Sequence, residues 1–165
     1  MDENIATPQH QAEAISGKDT AFLLTGNRDV GKYARHTIGD QNGITVKLAT
    51  PAFINHIYMM LWDKEMRYYC YYVEVSLDQR KWKKVIDYSH SSCRSYQNLF
   101  LEEEIVQYIR VVGTHNTANN EFHLIFLEDH YKTSIPRIVN GVICPITNVA
   151  TLDKKAIVIE GQVSI

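Results

Sequence analysis

The run Tyr71-Tyr72-Val73-Glu74-Val75-Ser76-Leu77-Asp78-Gln79-Arg80-Lys81-Trp82-Lys83-Lys84-Val85 decides the fold class. Successive side chains of an extended chain point to opposite faces. Val73, Val75 and Leu77 therefore share one face, and Tyr72, Glu74 and Ser76 share the other. The polar run from Asp78 to Lys81 turns the chain, and Trp82 and Val85 open a returning strand. The product is a hairpin with one face buried.

The rest of the chain repeats this pattern. Strands are expected at 44–48, 54–62, 71–77, 82–88, 97–101, 107–113 and 122–128, after an opening strand or arm over 4–17. Pro51 falls between the first two strands, where a missing N–H costs no ladder bond. Ile57, Met59 and Leu61 oppose Tyr58, Met60 and Trp62, so both faces of that strand are expected to be covered. Residues 22–24 form a short apolar patch. Residues 25–40 read as a long polar loop punctuated by Gly26, Gly31 and Gly39. No stretch sustains the helical apolar period. The reading is all-β, a sandwich or jelly roll of short antiparallel strands.

A chain of 165 residues is one domain's worth. Its 17 Lys and Arg nearly balance 19 Asp and Glu, a net charge of −2, which points away from nucleic acid and anionic membrane as partners. Cys70, Cys93 and Cys144 are odd in number, far apart, and lack CxxC spacing. That argues against a secreted disulfide framework and for a reducing compartment. Neither a leader nor an apolar run long enough to cross a bilayer is recognised, so a soluble cytoplasmic protein is expected.

Asn148-Val149-Ala150-Thr151, followed by Ala156, Ile159 and Gly161, repeats Asn4-Ile5-Ala6-Thr7, followed by Ala12, Ile15 and Gly17. Each member follows its counterpart by 144 positions, a domain-sized period. The expected organisation is one complete domain at 3–131, a linker at 132–147, and the first strand of a truncated second repeat at 148–165. That last segment would pack on its own domain, stay disordered, or replace 4–17 in a neighbouring copy as a strand-swapped homodimer.

The strings Ile44-Thr45-Val46-Lys47-Leu48, Tyr72-Val73-Glu74-Val75-Ser76 with Trp82, and Gln107-Tyr108-Ile109-Arg110-Val111 resemble the discoidin, or coagulation factor V/VIII type C, domain family. More narrowly, Leu61-Trp62-Asp63, Ser92-Cys93-Arg94-Ser95-Tyr96-Gln97, and Val112-Gly113-Thr114-His115-Asn116-Thr117-Ala118-Asn119 running into Phe122-His123 are similar to the discoidin-like repeats of the BTB/POZ domain-containing protein 9 family. The resemblance implies a discoidin-like jelly-roll β-sandwich of about eight antiparallel strands. It departs from secreted members in having no cysteine pair to close the two ends, which favours an intracellular branch.

By resemblance, the ligand end is a rim of three stretches, 28–37, 63–69 and 115–120. The candidate ligand- or partner-binding residues are Arg28, Lys32, Tyr33, Arg35, Asp63, Arg67, His115, Asn116 and Asn119. Mixed charge at these tips is a poor wedge for hydrocarbon, so membrane insertion is not expected. The Asn and Thr side chains of 115–120 suit a hydroxyl-rich sugar or a protein surface, and suit equally the capping of their own turn. His123 is expected to be partly buried with a hydrogen-bond partner, and Arg110 to pair with Glu74 across the sheet. Cys93 beside Arg94 reads as an inert thiol. No catalytic constellation, cofactor or metal site is assigned.

The resemblance implies a non-enzymatic protein-interaction module of an intracellular BTB-domain protein. Its partner would be a substrate, or a membrane-protein cargo, of a cullin-RING ubiquitin ligase adaptor. The alternative is a carbohydrate- or phospholipid-binding module of the discoidin lectin type. A sugar site calls for a small concavity with a stacking aromatic such as Tyr33 or Tyr69. A protein site calls for a broader surface with exposed apolar side chains.

Overall fold

A computed structural model describes residues 3–133 in full, and strand backbone at Pro136–Val139, Val142–Pro145, Ile157–Ile159 and Gln162–Ser164. The main body contains β1 (Glu13–Ser16), β2 (Ala34–Thr37), β3 (Ile44–Leu61), β4 (Tyr69–Ser76), β5 (Lys83–Cys93), β6 (Tyr96–Asn116) and β7 (Glu121–His130). Single 3₁₀ turns sit at Pro8–His10 and Thr20–Phe22. These seven strands join in the order β2-β7-β3-β6-β4-β5, with β1 added on β3, and every pairing is antiparallel.

The opening hairpin forms as β4 and β5, with Tyr71, Tyr72 and Val73 opposite Tyr88, Asp87 and Ile86. Val73 and Val75 are buried as expected. Leu77 is not: it lies past the strand end and is 48% exposed. Trp82 does not open the returning strand either. Asp78 Oδ1 accepts the amides of Arg80 and Lys81 at 2.8 and 3.0 Å, which tightens the turn and holds Trp82 inside it. The indole N–H donates to Gln79 O at 3.1 Å, and the Arg110 guanidinium covers the ring at 3.9 Å. Arg110 pairs with Glu74 at 3.4 Å, as expected from the sequence.

Two strands are much longer than their sequence suggests. The expected strands 44–48 and 54–62 are one strand, β3, and 97–101 and 107–113 are one strand, β6. The first half of β3 pairs with the second half of β6 (Ile44 opposite Val111), and its second half with the first half of β6 (Met60 opposite Tyr96). Between them the register jumps from Lys47 to Ala52, and Ala49, Thr50 and Pro51 are exposed there. Pro51 thus occupies a gap in the ladder, where its missing donor is not needed. Merging these halves takes two from the eight expected strands, and β2, which falls in the expected loop 25–40, brings the main body to seven.

Both long strands bend at this corner and serve two layers. One layer is β5-β4-β6-β3-β1, and the other is β2-β7-β3-β6. They face each other through rings: Phe122 of β7 lies 5.5 Å from Tyr69 and 6.0 Å from Tyr71 of β4. Ile44, Val46, Ile57, Leu61, Val73, Ile109, Val111 and Leu124 complete this core. Fully burying one such side chain contributes roughly 1.5–3 kcal/mol. Gly113 is required at the closest approach, because a Cβ there would meet Phe122 at 2.3 Å. Met60, Ile125 and Phe126 form a second cluster with Val30, Tyr33, Tyr58 and Trp62, so β3 is indeed covered on both faces.

The arm at 4–17 is a strand only over β1. Before it, Asn4 Oδ1 accepts the amides of Ala6 and Asp129, both at 3.0 Å, and latches the arm to β7. The supposed loop 25–40 contains β2, whose Ala34 and His36 are buried against β7. Within 132–147, β8 (Pro136–Val139) and β9 (Val142–Pro145) pair as a hairpin. Within 148–165, β10 (Ile157–Ile159) pairs with β11 (Gln162–Ser164). Asn148, Val149, Ala150 and Thr151, on which the proposed repeat opens, lie outside the described residues.

Candidate functional site

One end of the sandwich is organised around His123, near the start of β7. The Tyr33 ring, just before β2, lies 4.7 Å from its imidazole, and Trp62, just after β3, lies 6.2 Å away. The Tyr69 hydroxyl at the start of β4 is 3.1 Å from His123 Nδ1. Burial lowers the imidazole pKa, against the pull of Glu121 at 3.5 Å from Nε2. Burial pushes the Tyr69 phenol up to about 12, with Arg67 opposing. At neutral pH the pair is therefore a neutral imidazole and a phenol. The Tyr69 O–H donates to Nδ1, and Nε2–H faces Glu121. His123 is buried and partnered, as its place in the sequence implies.

The charges around this cluster are largely spent on one another. Arg35 pairs with Asp19 at 2.9 Å and with Glu121 at 2.5 Å. Arg67 lies over the Trp62 ring at 4.3 Å and pairs with Glu65. The Lys32 ammonium sits over Phe22 at 4.5 Å. Arg94 donates to the carbonyls of Asp63, Glu65 and Arg67 at 3.2, 2.7 and 2.8 Å, and so holds the loop between β3 and β4 closed.

Eight of the nine sequence-predicted residues divide into three groups. Lys32, Tyr33 and Arg35, with Asp19, Phe22 and Gly31, line a shallow depression of about 280 Å³. Arg67, Asp63 and His115 belong to the neighbouring loops. His115 is exposed with its ring 5.9 Å from Tyr68, and Tyr68 and Thr117 exchange hydrogen bonds that join these two loops. Asn116 and Asn119 hold their own turn: Asn116 Nδ2 donates to Asn119 Oδ1 and Glu121 O, and the two Oδ1 atoms accept the amides of Ala118 and Glu121.

Arg28 stands apart from the rim. Its guanidinium covers Phe126 at 3.6 Å and pairs with Glu128 at 2.8 Å, on the outer side of β7. Sequence reading left out Asp19, Phe22, Trp62, Arg94 and His123 as site residues. Trp62, Arg94 and His123 each lie in a string that carries the resemblance, whereas Asp19 and Phe22 gave no signal. Tyr69, one of the two candidate stacking rings, is fully buried and cannot stack on a ligand. Cys93 is buried with its thiol pushed up to about 12 by burial, and Arg94 points to carbonyls instead. Among the described residues no cluster of His, Cys, Asp and Glu is placed to hold a metal, and no helix is long and apolar enough to cross a membrane.

A model of the F5/8 type C domain matches residues 6–127. The chain belongs to the F5/8 type C domain family. It is similar to BTB/POZ domain-containing protein 9 of Drosophila melanogaster (45% identity over 97% of this chain and 23% of that protein) and of Homo sapiens (42%, 97% and 27%). This F5/8 type C domain thus spans about a quarter of the length of those relatives.

Among solved structures, the domain is similar to the CBM32 of AlyQ in complex with 4,5-unsaturated mannuronic acid. The TM-score is 0.58 at 12% identity, over 78% of this chain and 97% of that one. A chitosan-binding module from Paenibacillus sp. IK-5 gives a TM-score of 0.59 at 18% identity, over 77% and 98%. At such identities the likeness is one of fold. It shows the jelly-roll architecture of this F5/8 type C domain.

Proposed function

We propose that this domain is a non-catalytic recognition module that binds a protein partner through the loop rim. By the likeness of the chain to BTB/POZ proteins, the partner is a substrate or membrane-protein cargo presented to a cullin-RING ubiquitin ligase. One observation carries the reading. The rim's charges are mostly paired internally, while Met66 (91% exposed) and Phe22 (43% exposed) stand out from it. Apolar anchors framed by satisfied polar groups suit a protein surface.

The test is proximity labelling in cells by the full-length protein, beside a Phe22→Asp, Met66→Asp variant whose fold is checked by near-UV circular dichroism. Loss of a reproducible partner by tenfold or more, followed by the same loss with purified components, supports the rim. An unchanged partner set removes it.

A second reading has its own support. The depression carries Tyr33 and Phe22 rings beside Lys32, Asp19 and Arg35, the small aromatic-walled concavity a sugar needs. A glycan array probed with the native protein and with Tyr33→Ala decides this: a hit abolished by Tyr33→Ala favours the sugar site, and an array without hits removes it.

A further inference from the structure

At the pole away from the rim, Phe53, Leu77 and Ile105 are 53%, 48% and 44% exposed. Phe53 and Ile105 are cross-strand partners of β3 and β6. Leu77 and Ile105 share a depression of about 220 Å³ with Val75 as its buried wall, framed by Asp78, Lys81 and the Lys83–Glu104 pair. An apolar patch with a polar frame is the anatomy of an interface.

Where the chain leaves the domain says what covers it. Asn55, fully buried, binds the main chain of Lys132 in both directions, at 2.8 and 2.7 Å. The Tyr131 phenol faces the Glu103 carboxylate, which raises its pKa. The exit is therefore pinned two residues from Phe53 on β3 and two from Ile105 on β6. Beyond it, β8 and β9 double back, with Pro136 opposite Pro145. Antiparallel partners lie about 5 Å apart, so Pro145 at the end of this hairpin lies beside Pro136 at its start.

What starts at Asn148 is a copy of the opening arm, and the first copy shows why those residues recur. Asn4 is the latch to β7, Ala6 and Ala12 are buried, Thr7 caps the first 3₁₀ turn, and Gly17 has φ +103°. The strand β10 begins at Ile157, 144 positions after Glu13 opens β1. We propose that Phe53, Leu77 and Ile105 form the seat of a second unit of this fold, opened by 148–161 and packed at the exit pole. This interface is independent of whatever the rim binds.

The test is cross-linking mass spectrometry on the full-length protein, native and with Phe53→Asp and Ile105→Lys. Lys81 and Lys83 of the seat should link to Lys154, Lys155 and residues that follow. The variant should lower those links at least fivefold and raise amide exchange over 75–77 and 104–106. Leu77→Ser, a milder change of an exposed side chain, should act in the same direction, so a misfolded double variant does not decide the matter. Links unchanged in both variants overturn the proposal. So do links that prove intermolecular in a mixed-isotope sample, which would give the seat to a second copy, and exchange protection that appears only with an added partner.

Discussion

The carboxyl of Asp129 is fully buried, and neither oxygen has a hydrogen-bond partner among the described residues. Burial raises its pKa to about 7, with Glu128 adding to the rise. The folded domain therefore holds a proton that the unfolded chain releases near pH 4. This stability is complete below the unfolded value and is lost as pH rises through about 7. Asp129→Asn should match the native protein near pH 4 and exceed it at pH 8, by up to about 4 kcal/mol. Urea titrations at the two pH values measure the difference. Asp129 is not readable from sequence, because an acidic residue between Glu128 and His130 looks like a polar strand end.

The role of Arg94 is hidden for a different reason: its partners are carbonyls, which leave no trace in the sequence. Arg94 is exposed, so its bonds hold this loop locally and add little to the stability of the whole fold. Arg94→Ala should leave the melting curve nearly unchanged. It should raise exchange of the Arg67 amide, which donates to Glu65 O at 2.8 Å, by about tenfold or more.

Among the elements, alternation was a reliable guide where a strand has one clear buried face. The β4–β5 hairpin and the two-sided cover of β3 follow from their residues. Alternation fails at β2, since Ala34-Arg35-His36-Thr37 has only one apolar member and is held by pairing with β7. It also cannot show that two short strands are one long strand, because the corner at Pro51 looks like any turn. The close approach of β6 to β7 rests on Gly113. Gly113→Ala forces a methyl against Phe122 and should cost about 2–3 kcal/mol, read as a lower urea midpoint with unchanged slope. As for the site, 63–69 and 115–120 adjoin or overlap strings that carry the resemblance, while no string marked 28–37. The mutual pairing of these loops was not legible, because it joins residues such as Arg35 and Glu121 that are distant in sequence.

For the molecule as a whole, two buried histidines oppose Asp129. Burial lowers the pKa of His36 and of His123, and His36 Nε2 accepts the Gly113 amide at 2.8 Å, which requires the neutral ring. Below about pH 6.5 the unfolded chain takes protons that these rings refuse. Their contribution is thus present at neutral pH and lost as pH falls. Asp129 gains over the same window, so the native stability curve should be shallow between pH 4 and 6.5. In Asp129→Asn that compensation is gone, and the acid limb should steepen. Equal slopes in the two proteins would contradict the assignment.

The continuity of β3 and β6 has a mechanical meaning. From the corner, β3 runs from Phe53 to Leu61, next to Trp62, and β6 runs from Ile105 to Asn116. Each is an unbroken cable from the exit pole to the rim, one in each layer. A load applied at one pole is carried along backbone to the loops at the other, so the domain is built as a stiff strut between its two ends.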